Sequence, residues 1–290
     1  MTAKIAGMRR LAALLLGGAL LMTVAAGAAR AADDKTTVTM DGSTTVGPIA
    51  KAFAEYYMKH NAGVTVTVSE SGSGNGAKGL INSTCDIGNM SRFMSDKEFK
   101  AAAEKGVMPV AHVVAMDGLA VIVHPSNPVR GLTVEQVRDI YTGKMTSWKD
   151  LGGPDQNIVI ISRDTNSGTY ETFETMVLAK QKIDPRAEYV GSNGAVRARV
   201  QATATAIGYV GLGFVDRTVK AVTVNDIPAT PKTVAAGVYP IARPLYMFTN
   251  GYPKLGSHVF RLVTLHLSKD GQAMIEKIGY VPVTSYDVKK

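Results

Sequence analysis

Three times along this chain a short apolar or alternating run passes through a turn of Gly, Ser and Thr into apolar residues at helical spacing. "TTVTM" leads through Gly42-Ser43-Thr44-Thr45 to Val46, Ile49, Ala50, Phe53 and Tyr57, with Pro48 in the first helical turn, where it is tolerated. "VTVTV" alternates as a half-buried strand does, "SESGSGNG" reads as its turn, and "AKGLINS" resumes a short helix. "IVII" leads through "SRDTNSG" to Tyr170, Phe173 and Val177 on one helical face. A chain built this way predicts an α/β fold with largely parallel sheets.

The length of 290 residues suits one large domain or two of ordinary size. No low-complexity linker divides it, so two lobes would have to share the chain. "AMDGLAVIVHPSNP" and "YPIARPLYMF" couple extended apolar runs to Gly or Pro and are the candidate segments crossing between lobes. That punctuation divides the chain into residues 32–115 with 245–290 as one lobe and 116–244 as the other. Residues 133–141 and 257–278 read as helical.

Residues 1–31 run from Lys4, Arg9 and Arg10 through "LAALLLGGALLMTVAAGAA" to Ala29-Arg30-Ala31, the order of a cleavable secretory signal peptide. No later hydrophobic span would hold the chain in a membrane, so the mature protein is expected to be exported and soluble. Cys85 is the single cysteine, which precludes an internal disulfide and suits a buried thiol. The formal charge of +8 includes four basic signal residues and no acidic ones, leaving 8 − 4 = +4 on the mature chain. Without dense Lys/Arg clusters interleaved with aromatics, nucleic acid is not an expected partner.

The three turns supply the ingredients of an oxyanion site. The first N–H groups of a helix lack intrahelical partners and the macrodipole is positive there, so an anion can be held at a helix mouth. Glycine lets the backbone approach, and Ser or Thr adds a hydroxyl donor. Any single Ser or Thr turn is more simply a helix cap. Three of them, one carrying Arg163 beside Ser167-Gly168-Thr169, suggest a shared site. Each helix end contributes about 0.3–1 kcal/mol when exposed and ~2 kcal/mol when partly buried. Micromolar binding needs about −8 kcal/mol, so several ends, hydroxyls and a guanidinium must converge.

Other motifs are weaker. "GNGAKG" satisfies a dinucleotide-type glycine pattern, but an exported protein has little use for it. The five histidines lack metal-ligand spacing, and no serine sits in a nucleophile elbow, so neither a cofactor nor a metal is expected. Trp148 beside a turn reads as packing.

Eight segments, "DGSTTVGP", "SGSGNGAKGL", "CDIGNMSR", "MDGLAVIVHPSNP", "IYTGKMTSWKDLGG", "SRDTNSGTYETF", "AIGYVGL" and "YPIARPLYMF", together resemble the PstS-type phosphate-binding subunit of ABC-type phosphate importers. The resemblance implies a two-lobed periplasmic binding protein of type II, with two crossover strands and one phosphate clamped in the cleft. It implies a monomer that passes phosphate to an ABC permease and is not an enzyme. Carried over by motif, Ser43, Thr44 and Thr45 would hold phosphate from the first helix mouth, Ser73 from the second, and Arg163, Ser167, Gly168 and Thr169 from the opposite lobe. Ser91 stands where the family usually places an aspartate that accepts a hydrogen bond from protonated phosphate. A serine hydroxyl accepts or donates and cannot impose that test. Asp117 and Asp164 are substitute acceptors, each also readable as a hinge or turn residue. Sulfate or molybdate is therefore an alternative ligand, and a phosphoryl-handling enzyme using Ser73 or Thr44 is a third reading that lacks a visible base.

Overall fold

The structure, a computed structural model, describes residues 36–284. The expected signal peptide lies outside the described residues. The first half of the chain runs β1 (Thr37–Gly42), α1 (Gly47–His60), β2 (Thr65–Ser69), α2 (Ser73–Ile81), β3 (Ile87–Met90) and α3 (Asp96–Glu104), then the long β4 (Pro109–Val123). It continues with β5 (Gly131–Leu132), α4 (Val134–Tyr141), β6 (Val159–Arg163), α5 (Gly168–Met176), β7 (Glu188–Val190), α6 (Asn193–Ala202) and β8 (Ala206–Gly211). β9 (Lys220–Ala221), β10 (Thr223–Val224), α7 (Pro231–Ala235), β11 (Ala242–Asn250), α8 (His258–Thr264) and α9 (Lys269–Ile278) complete it.

The strands order as β2-β1-β3-β11-β4-β8-β6-β7, with β9 on β4 and a small β5–β10 pair apart. β1, β2 and β3 pair in parallel at one end, and β6, β7 and β8 at the other. Between them β4 and β11 run antiparallel, so the sheet is mixed where the sequence pattern suggested a largely parallel one. Their pairing extends from Pro109 opposite Asn250 to Gly118 opposite Ala242, after which Leu119–Val123 of β4 pairs with β8. The two segments read as crossovers thus fall largely in β4 and β11, the strands at the centre of the sheet.

Two boundaries differ from the sequence reading. α2 begins at Ser73 rather than near Ala77, because the glycines read as turn residues serve close packing. A β-carbon at Gly76 would lie 2.9 Å from Asp41 O, Asn89 O and Gly42 Cα, so the helix rests on β1 and β3 through bare backbone. The helix expected over 257–278 breaks between α8 and α9. Ser268 donates to Leu265 O at 2.7 Å and caps the next helix by accepting from Gly271 N–H at 3.0 Å, which turns the chain.

The main core joins α1, through Ile49, Phe53 and Tyr57, to the β4 residues Leu119–Val123 and to Tyr141, Trp148, Phe173 and Tyr209. Each fully buried large apolar side chain there contributes about 1.5–3 kcal/mol. Trp148 is buried and donates from Nε1 to Thr205 O at 2.9 Å, which makes it a packing residue. A smaller cluster of Ala77, Leu80, Cys85, Met90, Met94 and Phe248 fills the space between α2, α3 and the sheet. Among the described residues no helix is long and apolar enough to cross a membrane.

Candidate anion-binding site

At the C-terminal ends of β1, β2, β6 and β7 the chain turns through Gly and Ser into a helix, the position at which open α/β sheets present ligand sites. Serine hydroxyls take up free backbone N–H groups there, as a true helix cap at α5 and α6 and just before or within the helix start at α1 and α2. Ser43 Oγ accepts from the N–H groups of Thr45 (3.1 Å) and Val46 (3.4 Å). Ser167 Oγ accepts from those of Thr169 (3.2 Å) and Tyr170 (3.3 Å). Ser73 Oγ accepts from Ser91 N–H at 3.1 Å and faces Ser91 Oγ at 3.3 Å. An oxygen that accepts two N–H bonds has its lone pairs filled, so the hydroxyls of Ser43 and Ser167 are left with one function, to donate.

Tertiary structure brings these mouths from opposite halves into contact. Thr45 Oγ1 and Thr169 Oγ1 are 2.9 Å apart across 124 positions of sequence. Gly168 lies against Ser73 Oγ and Ser91 Oγ so closely that a β-carbon would collide with both. Asn166 donates to Ser71 O at 2.9 Å, and Gly74 N–H donates to Asn166 O at 3.1 Å. Ser43, Thr44, Thr45, Ser73, Ser91, Ser167 and Thr169 are all buried.

Arg163 ends β6 four residues before the Ser167 cap and is 1% exposed. Its Nε donates to Val190 O at 3.2 Å and its Nη2 to Gly191 O at 2.9 Å, while Nη1 is buried with no hydrogen-bond partner. Burial and the second guanidinium of Arg243 hold its pKa below the ordinary arginine value, against the charge of Asp164. An arginine still keeps its proton, so this is a buried cation with an unfilled donor. Asp164 closes the turn through its carbonyl, which accepts from Ser167 N–H at 3.1 Å, and its Oδ1 is buried without a partner. That geometry fits a turn residue opposing the Arg163 charge.

Asp117, the other candidate acceptor, is already engaged. Its Oδ2 accepts from Arg243 Nη2 (2.9 Å) and Nε (3.1 Å), and its Oδ1 from Leu212 N–H (2.9 Å). Burial pushes its carboxyl above the ordinary range, against the pull of Arg243. In this arrangement it is the counter-ion of Arg243, not a free acceptor.

Two residues at the site were missed in the sequence. Arg243 of β11 also donates to Thr169 Oγ1 at 3.0 Å, Thr45 Oγ1 at 3.4 Å and Gly168 O at 3.2 Å. Asn193, at the start of α6, donates from Nδ2 to both Thr44 Oγ1 and Thr45 Oγ1 at 2.9 Å. Signals for both existed. "YVGSNGAV" is a fourth strand–small turn–helix passage, and Asp117 and Arg243 are lone opposite charges in the two crossover runs. Asn89 in β3 is fully buried with neither amide atom bonded, a further polar group available near the first two mouths.

Comparison with known proteins identifies the family and the fold. Residues 27–261 match the PBP superfamily domain. The phosphate-binding protein PstS of Staphylococcus saprophyticus is 33% identical over 258 residues, covering 85% of this chain and 80% of that protein. A phosphate ABC transporter substrate-binding protein of Clostridium perfringens, solved with bound phosphate, superposes with a TM-score of 0.79 at 33% identity, over 86% of this chain and 100% of its own. An ABC-type phosphate transport receptor of Vibrio cholerae gives a TM-score of 0.69 at 29% identity, over 84% and 99%. The mixed α/β sheet of this chain is consistent with the two-lobed fold of such binding proteins. The chain belongs to the PBP superfamily and, within it, to the PstS-type phosphate-binding proteins.

Proposed function

We propose that this protein is an extracytoplasmic receptor that captures one inorganic phosphate between its halves and delivers it to an ABC-type importer. The observation that carries this reading is the buried, unpartnered Nη1 of Arg163 among helix mouths whose hydroxyls face one another. An isolated buried cation costs several kcal/mol, and a bound oxyanion removes that cost while filling the open donors. Ser43, Thr44, Thr45, Ser73, Ser91, Arg163, Ser167, Gly168 and Thr169 form the binding set. Lobes of 32–115 with 245–290 and of 116–244 would then hinge where β4 and β11 cross, near the Asp117–Arg243 pair. Export by a cleaved leader, a monomeric state and docking to a membrane permease complete the reading. A binding role without catalysis belongs to the same reading: the hydroxyls of Ser43 and Ser167 have their oxygens filled by N–H donors, which opposes their use as nucleophiles, and a phosphatase assay without turnover would dismiss Ser73 and Thr44 as well.

Sulfate or molybdate has one observation in its favour. With Asp117 engaged by Arg243, and with Asp164 serving as a turn residue opposing the Arg163 charge, the donors of the site outnumber its acceptors, which suits an anion that carries no proton. Calorimetric titration of anion-stripped mature protein with phosphate, then sulfate, at several pH values separates the two. Tight phosphate heat without sulfate competition, lost in Arg163→Ala, supports the phosphate receptor. Equal competition by sulfate, or no phosphate heat, overturns it.

A further inference from the structure

We propose that Asn193, together with Arg243, is a positioning residue that fixes which way the threonine hydroxyls of the site point, making Thr169 an obligatory donor to the ligand. This inference rests on the oxyanion-receptor reading and assigns roles to two residues outside the motif-derived binding set. The orientation of the Asn193 amide is determined by its surroundings. Its Oδ1 accepts from Gly211 N–H at 3.2 Å, and the reversed amide would aim NH2 at that N–H. Nδ2 is therefore the group lying 2.9 Å from both Thr44 Oγ1 and Thr45 Oγ1, and it donates one hydrogen to each.

The remaining hydrogens follow by counting lone pairs. Arg243 is held by Asp117, itself fixed by Leu212 N–H, and offers a hydrogen of Nη2 shared between Thr169 Oγ1 and Thr45 Oγ1. Thr45 Oγ1 accepts from Asn193 and Arg243, so its own hydrogen goes to Thr169 Oγ1, 2.9 Å away. Thr169 Oγ1 then accepts from Thr45 and Arg243, and its hydrogen can only leave the network. The Thr44 hydroxyl, accepting from Asn193, likewise turns its hydrogen away from that amide. Two residues that can only donate to these threonine oxygens thus convert ambivalent hydroxyls into directed donors, organised before the anion arrives.

Asn193→Asp tests this with almost no change of shape. Oδ1 keeps its bond to Gly211 N–H, while the second oxygen now accepts and pulls the Thr44 and Thr45 hydrogens inward. Phosphate affinity is expected to fall at least about a hundredfold at pH 8 and to recover as pH is lowered and the introduced carboxylate regains a proton, relative to the wild type at each pH. Because the added charge alone could repel an anion, Asn193→Leu is measured as well, in the wild type and in Thr45→Val. Action through the hydroxyl predicts a loss in the wild type that shrinks at least about threefold in Thr45→Val. An equal loss in both backgrounds, or no loss on Asn193→Leu, overturns the inference and leaves the receptor reading intact. Should Asn193→Leu fail to fold, the same comparison is made with Asn193→Asp at pH 8, where the added charge acts equally in both backgrounds and a smaller loss in Thr45→Val still reports the hydroxyl. A wild type that binds phosphate, sulfate and molybdate not at all overturns the receptor reading and this inference with it.

Discussion

At the scale of single residues, burial decides behaviour that residue type leaves open. Cys85 packs between α2 and the sheet, and burial, with the nearby charges of Asp41 and Asp86, pushes its thiol up to about 12. At pH 8 the thiolate fraction is then about one part in ten thousand. The native protein should resist iodoacetamide at pH 8 under conditions that label the urea-unfolded chain to completion, and native labelling at the unfolded rate would refute the assignment. Asp117 and Arg243 are 0% and 4% exposed and satisfy each other. Removing one partner strands a buried charge, which costs about 3–5 kcal/mol, whereas replacing both by apolar residues costs less. Arg243→Met is expected to lower the denaturation midpoint more than Asp117→Leu/Arg243→Met does, as read by urea titration. The same pair shows what a sequence hides. A lone Asp in one apolar run and a lone Arg in another are visible, but their pairing depends on the antiparallel register that sets Asp117 opposite Arg243.

At the scale of elements, helix ends and close approaches separate structural from binding roles. α3 begins with a capping box in which Ser95 Oγ accepts from Glu98 N–H and the Glu98 carboxylate accepts from Ser95 N–H at 2.8 Å. Ser95→Ala should cost ~1 kcal/mol, a fall of about 2–4 °C in Tm, with phosphate affinity unchanged. Gly76→Ala acts differently, because the added methyl meets backbone of β1 and β3 rather than a side chain that can move. It should cost about 1–3 kcal/mol and also weaken phosphate binding, since α2 carries Ser73. A Gly76→Ala protein with wild-type Tm and affinity would show that the helix sits less closely on the sheet. The mouths of α1, α2 and α5 were legible from composition, while the mouth of α6 carries the same signature and went unread. The glycines of α2 look like turn residues in sequence because close packing against backbone leaves no local trace.

At the scale of the whole molecule, the halves are joined beside the site by a charge cluster. Arg92, next to Ser91, pairs with Glu98 of α3 at 2.7 Å and meets Glu171 of α5, 79 positions on, at 2.6 Å. Burial pushes the Glu171 carboxyl above its ordinary range, against the charge of Arg92. Glu98 bears its own burial penalty, yet hydrogen bonds from Arg92 and Ser95 hold it below that range. The signs differ in consequence. The stability contributed by ionised Glu98 is present above the ordinary glutamate range and fades as pH falls through its depressed value. Glu171 takes its proton first, and the fold favours that protonation, so the Arg92–Glu171 link goes before the Arg92–Glu98 link. Glu171→Gln should weaken phosphate binding about twofold to fivefold near pH 8, and the ratio to wild type should approach one as pH falls through the carboxylate range. Titrations at matched pH check this, and a ratio independent of pH would show that the Glu171 charge takes no part in binding.

What the sequence alone determined is local: strand and helix periods, the small residues at helix mouths, and an arginine four positions before a serine cap. These specify an α/β chain carrying anion-binding ends, because periodicity and capping act over a few residues. Tertiary structure decided which ends meet, which charges are already paired and which donor is left open. Asp117 became a counter-ion because β11 delivers Arg243 beside it, and Arg163 kept a free nitrogen because Val190 of β7 and Gly191 just after it supply only two carbonyls to its guanidinium. Both outcomes depend on contacts between segments dozens of residues apart, and hydrogen-bond saturation is a property of those contacts.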